Sequence, residues 1–275
     1  MATLWIDSHC HVINPTPLNP PTNVLAHVVH CVLAATKAAD FEFVRQSAHA
    51  SGNSYALGIH PWFAEQACAD DLDCLELALQ QDDPRLVAVG EIGLDRVASS
   101  TVSRAWRDRQ NDVYVKQLKL AQRYHLPVVL HSRGAVDQVL AGLRSAWHHH
   151  PAWCGVAHAF NGSLQQANAL IGLGFKLGFG GAFTHARALH LRRLVVALPL
   201  DAIVLETDAP DMPPRWLIRP TEQSAAGQNR GINTSEELPR IGQELATLRS
   251  MSVSGLAQAT AHNAKTAFPK MIYLL

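Results

Sequence analysis

Short β-branched or apolar runs alternate along the chain with longer segments of helical apolar period, the pattern that parallel strands joined by crossover helices produce. Eight such runs stand out: Thr3–Ser8, His27–Ala34, Tyr55–Ile59, Leu86–Gly90, Pro127–Leu130, Gly155–Ala157, Phe175–Gly178 and Ala202–Leu205. Several are apolar throughout, as strands covered on both faces are. Eight strands in this order predict an α/β fold that closes into a (β/α)8 TIM barrel.

The helical segments between them are Phe41–Ala50, Leu72–Gln81, Ser103–Tyr124, Ala135–Trp147, Leu164–Leu173 and His185–Ala197. Asp71, Ser103 and Ser163 suit helix starts, where short polar side chains accept from free backbone N–H groups. Two more helices follow, Ser235–Leu248 behind a Thr234/Ser235 cap and Val253–Ala267. Pro213–Asn233 has three prolines and no apolar period, so it reads as one long loop, and loops of that length in a compact body are usually functional. Pro15–Pro21 is a second proline-rich stretch, directly after the first strand. Neither serves as a linker, because a barrel needs strands from both sides of each, so residues 1–275 are expected to form a single domain.

The length of 275 residues fits that reading, since such barrels run to roughly 250 residues. Hydrophobic residues at 48% and charged residues at 17% supply a continuous core and exclude a disordered chain. Lysine plus arginine and aspartate plus glutamate number 23 each, so no global positive field draws the protein to nucleic acid or anionic membrane. A phosphate-bearing substrate must then be met locally. Cys10, Cys31, Cys68, Cys74 and Cys154 are scattered and odd in number, which argues against a disulfide framework. With no apolar run of the roughly 20 residues that span a bilayer and no leader pattern, a cytoplasmic location is expected. The oligomeric state stays open on these grounds, with a monomer expected.

Histidine is the outlier at 15 copies, and its placement carries chemistry. Barrel enzymes keep their working groups at the carboxyl ends of strands. Here those ends carry His9-Cys10-His11, His60, Glu91, His131, His158 and Asp208. His9 and His11, two apart on an extended strand, project to one side and can share a metal, with Cys10 turned away. Glu91 closes an apolar strand between Gly90 and Gly93, where an isolated carboxylate is costly without a cation; its bland alternative is a salt bridge to Arg133. His131 and His158 each follow an apolar strand and supply further ligands for a second cation. Asp208 follows the eighth strand, adjacent to the first in a closed barrel, where it suits two roles: metal ligand and proton acceptor from an attacking water. Glu206 lies on the same side, one layer deeper, and is disfavoured as a ligand. Arg133 offers a planar fork to a phosphate oxygen.

Other histidines take blander readings. His148-His149-His150 ends a helix and suits a solvated terminus. His27, His185, His190 and His262 read as surface or core residues. Trp62, after His60-Pro61, is either a stacking platform for a base or a packing residue at the rim.

With these residues in place the chain resembles the TatD family of metal-dependent hydrolases, the TatD-like deoxyribonucleases within the amidohydrolase-like barrels. The resemblance runs through Ile6-Asp7-Ser8-His9-Cys10-His11, Gly58-Ile59-His60-Pro61, Gly90 to Asp95, Leu130-His131-Ser132-Arg133, His158 to Ser163, Leu205 to Pro210 and Asn263. It departs from the family at Val12 and Ile13, where an acidic residue often follows the histidine pair, and in the loop beyond Asp208. The resemblance implies two divalent metal ions (zinc, manganese or magnesium): one on His9, His11 and Asp208, the other on His131 and His158, with Glu91 bridging. It implies phosphodiester hydrolysis of DNA by a metal-activated water, with Asp208 and Glu91 as catalytic residues. His60 and Arg133 are expected to orient the phosphate, and Asp95 to hold a ligand histidine in its working tautomer. The same metal site also suits a small ester, lactone or amide substrate, a rival that the neutral charge balance favours.

Overall fold

A computed structural model describes residues 3–12, 27–97, 103–146, 153–218 and 231–274. Eight parallel strands follow one another round a single sheet in chain order. They are β1 (Trp5–Cys10), β2 (Val28–Ala34), β3 (Ser54–Leu57), β4 (Leu86–Asp95), β5 (Val128–Arg133), β6 (Gly155–Ala157), β7 (Phe175–Phe179) and β8 (Ile203–Leu205). Just past β8 the Asp208 N–H donates to the His9 carbonyl at 3.0 Å and the His11 N–H to the Ala209 carbonyl at 2.7 Å. These bonds join the last strand to the first, so the chain adopts the expected (β/α)8 barrel.

Among the described residues eight α-helices accompany it: α1 (Phe41–Ser51), α2 (Ala69–Gln80), α3 (Arg104–Arg123), α4 (Val136–Ala146), α5 (Leu164–Gly172), α6 (Leu189–Ala197), α7 (Leu238–Leu248) and α8 (Val253–Ala267). Ser103 and Ser163 cap α3 and α5, each accepting from the backbone N–H three residues on, at 3.1 Å in both cases. Asp71 closes a capping box with Cys68, which stands at the N-cap of α2.

The barrel interior is divided by polarity. Its floor is an apolar cluster that includes Ile6, Val32, Ala56, Val129, Val156 and Val204, sealed from below by Ala264, Phe268 and Met271 beyond and within α8. The upper end carries the polar side chains. Asn263 on α8 donates to the carbonyls of Leu200 and Ile203 at 2.8 and 2.7 Å, pinning the start of β8 to the helix that plugs the floor.

Three expectations are corrected. β1, β4 and β5 run on past the predicted ends Ser8, Gly90 and Leu130, so His9, Glu91 and His131 sit inside strands. The reason is that backbone pairing continues, as in Gly93 with His131 and Asp95 with Arg133, after the side chains have turned polar toward the barrel mouth. The helix expected from His185 begins at Leu189, because Gly181–Thr184 forms a 3-10 turn and the His185 ring is drawn to the Pro213 carbonyl. The helix expected from Ser235 opens as a 3-10 turn, Ser235–Glu237, with Thr234 at its N-cap position, and α7 follows directly with Pro239 in its first turn; the Ser235 hydroxyl donates to Asp7 at 2.7 Å rather than capping. Trp147, His148-His149-His150, Pro15–Pro21 and most of Pro213–Asn233 lie outside the described residues.

Candidate metal centre

The site grows from irregularities at the strand ends. A bulge between Asp7 and Cys10 breaks the alternation of β1. Ile6 therefore points into the floor cluster, while His11 borders the upper cavity and His9 lies buried beside it, the two Nε2 atoms 3.2 Å apart, with Cys10 turned outward as expected. The bulge is held by Asp7, whose buried carboxylate accepts from the Thr207 N–H at 3.0 Å, the Thr207 hydroxyl at 2.6 Å and Ser235 at 2.7 Å. One acidic side chain thus ties β1 to the segment that carries Asp208. Gly90 permits β4 to pack closely against β5, since a Cβ there would lie 2.5 Å from that of Val129.

Glu91 stands at the centre, nearly enclosed, and its two oxygens face different partners. Oε1 lies 2.6 Å from His158 Nε2, 2.7 Å from His131 Nδ1 and 3.4 Å from His60 Nε2. Oε2 lies 3.4 Å from Nε2 of both His9 and His11. Asp208 completes the second side, its Oδ1 at 3.3 Å from His9 and 3.5 Å from His11. The alternative salt bridge between Glu91 and Arg133 does not form; Arg133 is half exposed and lies 3.9 Å from Asp95 instead.

The arrangement fits cations. Imidazole nitrogens face one another at 3.2 Å between His9 and His11 and between His131 and His158, a separation at which lone pairs repel unless a proton or metal ion lies between. Groups suited to hold an ion are His9, His11 and Asp208; His9, Glu91 and His158; and His60, Glu91 and His131. The outer ring nitrogens sort these histidines by tautomer. His11 Nδ1 donates to the Ala34 carbonyl at 3.0 Å and His131 Nε2 to Asp95 at 3.3 Å, so in its neutral form each ring carries a lone pair on the inward nitrogen. His60 is reversed: its Nδ1 accepts the Trp62 N–H at 3.1 Å, so the neutral ring carries its proton on the inward Nε2 and is a donor.

Charge is distributed accordingly. Burial alone would push Glu91 up, but His158, His60 and His131 hold it well below the usual carboxylate range. Asp208 is likewise low, its hydrogen bonds to His11 and His9 outweighing burial. His131 is raised to about 9, since Asp95 and Glu91 overcome the burial that opposes it, whereas burial takes His158 down to about 4. Glu206 lies fully buried below Asp208, accepts the Ala159 N–H at 2.5 Å, and is pushed by burial up to about 8. It borders the cavity one layer deeper than Asp208.

Two glutamines that drew no notice in the sequence position the site from α3. Gln117 clamps both backbone groups of Ile59, accepting from its N–H at 2.7 Å and donating to its carbonyl at 3.1 Å, directly before His60. Gln110 accepts from the Asp95 N–H at 3.1 Å and donates to the Pro61 carbonyl at 3.0 Å. The seven-residue spacing of two polar side chains within an apolar helix face was the available signal.

A cavity of about 880 Å³ opens above the cluster, bordered by His60, Trp62, Glu91, His131, Arg133 and Asp208 among others. The family model for TatD-related DNases matches residues 6–269. The chain belongs to the TatD family. It is 36% identical over 274 residues to the uncharacterized metal-dependent hydrolase YjjV of Escherichia coli, covering 98% of this chain and 99% of that protein. It is 32% identical to the 3'-5' ssDNA/RNA exonuclease TatD of a Pantoea species over 77% of this chain and 76% of that one. The crystal structure of YjjV superposes with a TM-score of 0.83 over 98% of this chain and 99% of that chain. The TatD barrel and the convergence of polar strand ends thus coincide. Among the described residues no helix is long and apolar enough to cross a membrane.

Proposed function

We propose that this chain is a metal-dependent hydrolase that cleaves phosphodiester bonds of DNA with two divalent cations. The observation that carries the reading is the split of Glu91, one carboxylate oxygen toward His9 and His11 and the other toward His131 and His158. His9, His11 and Asp208 would hold one ion, His131 and His158 the other, and Glu91 would bridge them. The mixed imidazole and carboxylate donors suit zinc or manganese, with magnesium as the third candidate. When bound, such ions supply an acidified water and neutralise charge on phosphorus-bound oxygens.

The chain's own groups do the remainder. Asp208, ionised at neutral pH, accepts the proton of the attacking water as the new P–O bond forms and the bond to the leaving oxygen breaks. His60 presents Nε2–H, and Arg133 its fork, to the non-bridging phosphate oxygens. Asp95 keeps His131 in the tautomer that leaves Nδ1 free of a proton. The names of relatives, a 3'-5' ssDNA/RNA exonuclease TatD among them, support a nucleic-acid substrate.

Protein purified without chelator is expected to carry two equivalents of metal and to degrade single-stranded DNA, with chelation abolishing cleavage and the metal restoring it. A panel of phosphodiesters, carboxylic esters, lactones and amides separates this reading from carbonyl hydrolysis. Metal-free protein that cleaves DNA, or selective turnover of the carbonyl substrates, would overturn it.

A further inference from the structure

Trp62 is a large aromatic side chain, 52% exposed, on the border of the cavity. Its exposure does not come with freedom. Its backbone N–H is bound to His60, and its indole Nε1 donates to Asp95 Oδ2 at 2.8 Å, which fixes the ring's rotamer. The ring stands at 87° to that of His60, with centroids 5.1 Å apart. A packing residue fixed this firmly would normally be covered; this one is fixed with about half of its surface turned to solvent.

Its neighbours define what it meets. Asp95 Oδ2, the acceptor of the indole, also lies 3.3 Å from His131 Nε2 and 3.9 Å from Arg133. The ring, a candidate metal-binding histidine and a phosphate-binding cation therefore surround one carboxylate oxygen. Among the described residues that border the cavity, Arg133 is the sole lysine or arginine, so these residues offer no track of phosphate contacts. Stacking is a second source of affinity for a nucleic-acid chain, since every base offers a flat face to a fixed ring regardless of sequence.

We infer that Trp62 is the stacking platform for the nucleobase adjoining the scissile phosphate. The inference rests on the phosphodiesterase reading above and names the part of the substrate that reading leaves open. It makes recognition depend on an unpaired base, which a duplex interior does not present.

The test compares cleavage of a single-stranded oligodeoxynucleotide with cleavage of the same backbone carrying abasic sugars, in the metal-loaded protein and in W62A and W62F. The readout is the ratio of kcat/KM for the two substrates, which is insensitive to any loss of rate from the broken Asp95 hydrogen bond. The unsubstituted protein is expected to prefer the base-bearing substrate by roughly 10- to 100-fold, mainly in KM. W62A is expected to lose most of that preference and W62F, which keeps an aromatic face, to retain it; circular dichroism confirms folding. Equal ratios in W62A and the unsubstituted protein overturn the stacking role and leave the activity standing, and so does a preference that W62F loses as fully as W62A. An unsubstituted protein that cleaves neither substrate overturns the activity and the platform together.

Discussion

Asp95 stands behind His131: its Oδ2 lies 3.3 Å from the Nε2 of that ring, while the Nδ1 on the other edge faces Glu91 at 2.7 Å. A carboxylate in this place orients a ligand imidazole and raises its basicity. Asp95→Asn keeps the shape and removes the charge, and should weaken metal binding about 10- to 100-fold. Competition titration with a chromophoric chelator measures this directly. Unchanged affinity would show that His131 needs no orienting partner.

Glu91 and Asp208 should behave as parts of one unit. Glu91→Gln leaves the imidazoles without their shared anion, so bound metal should drop below two equivalents and turnover fall by at least about 1,000-fold. Asp208→Asn should give a comparable loss of turnover, and the double variant little further loss, because effects within a unit are not additive. Elemental analysis and steady-state rates on the same samples check both.

The raised histidines set a pH signature for the metal-free protein. His131, held up at about 9, contributes stability that is fully present below its ordinary value near 6.5 and is lost as pH rises toward 9. His9 and His11 are raised as well and act in the same sense. Thermal melts of metal-free protein should therefore fall between pH 6.5 and 9, and metal binding should release protons across that window. Calorimetry in buffers of different ionisation enthalpy reads the proton count. A metal-free melting point that rises through the window contradicts the assignment.

Gln117→Ala strands the N–H and carbonyl of Ile59 in a buried setting. Each buried unpaired group costs about 1–3 kcal/mol, so the variant should lose about 2–6 kcal/mol in urea unfolding. Because His60 follows Ile59, turnover should suffer beyond what stability explains, and KM for a phosphodiester should rise. Loss of stability with unchanged kinetics would separate the brace from the site.

What the sequence made readable followed from periodicity. His9 and His11 announced themselves by alternate spacing, and Glu91, His131, His158 and Asp208 by abrupt polarity after apolar runs. Hydropathy misplaced the strand ends, because β4 goes on pairing with β5 through Asp95 and Arg133 after its apolar run has stopped. Asp7 escaped notice because a carboxylate inside β1 has meaning only beside Thr207 and Ser235, more than 190 positions away in the chain and brought near by closure. Gln110 and Gln117 were passed over because polar helix residues ordinarily face water. The tautomer that sets His60 apart depends on one backbone N–H, which no residue pattern encodes.

The seam between β8 and β1 has a bearing on biosynthesis. Asp7 and Thr207, whose contact spans 200 positions, leave the ribosome far apart in time, and Asn263 emerges later still. Each strand and helix along the way can form from nearby sequence, yet the cleft is assembled only when the newest segment docks on the oldest. A partly translated chain therefore exposes His9 and His11 with neither Asp208 nor the stopper under the barrel. The cluster around Glu91 therefore converges only once the segment after β8 has docked on β1.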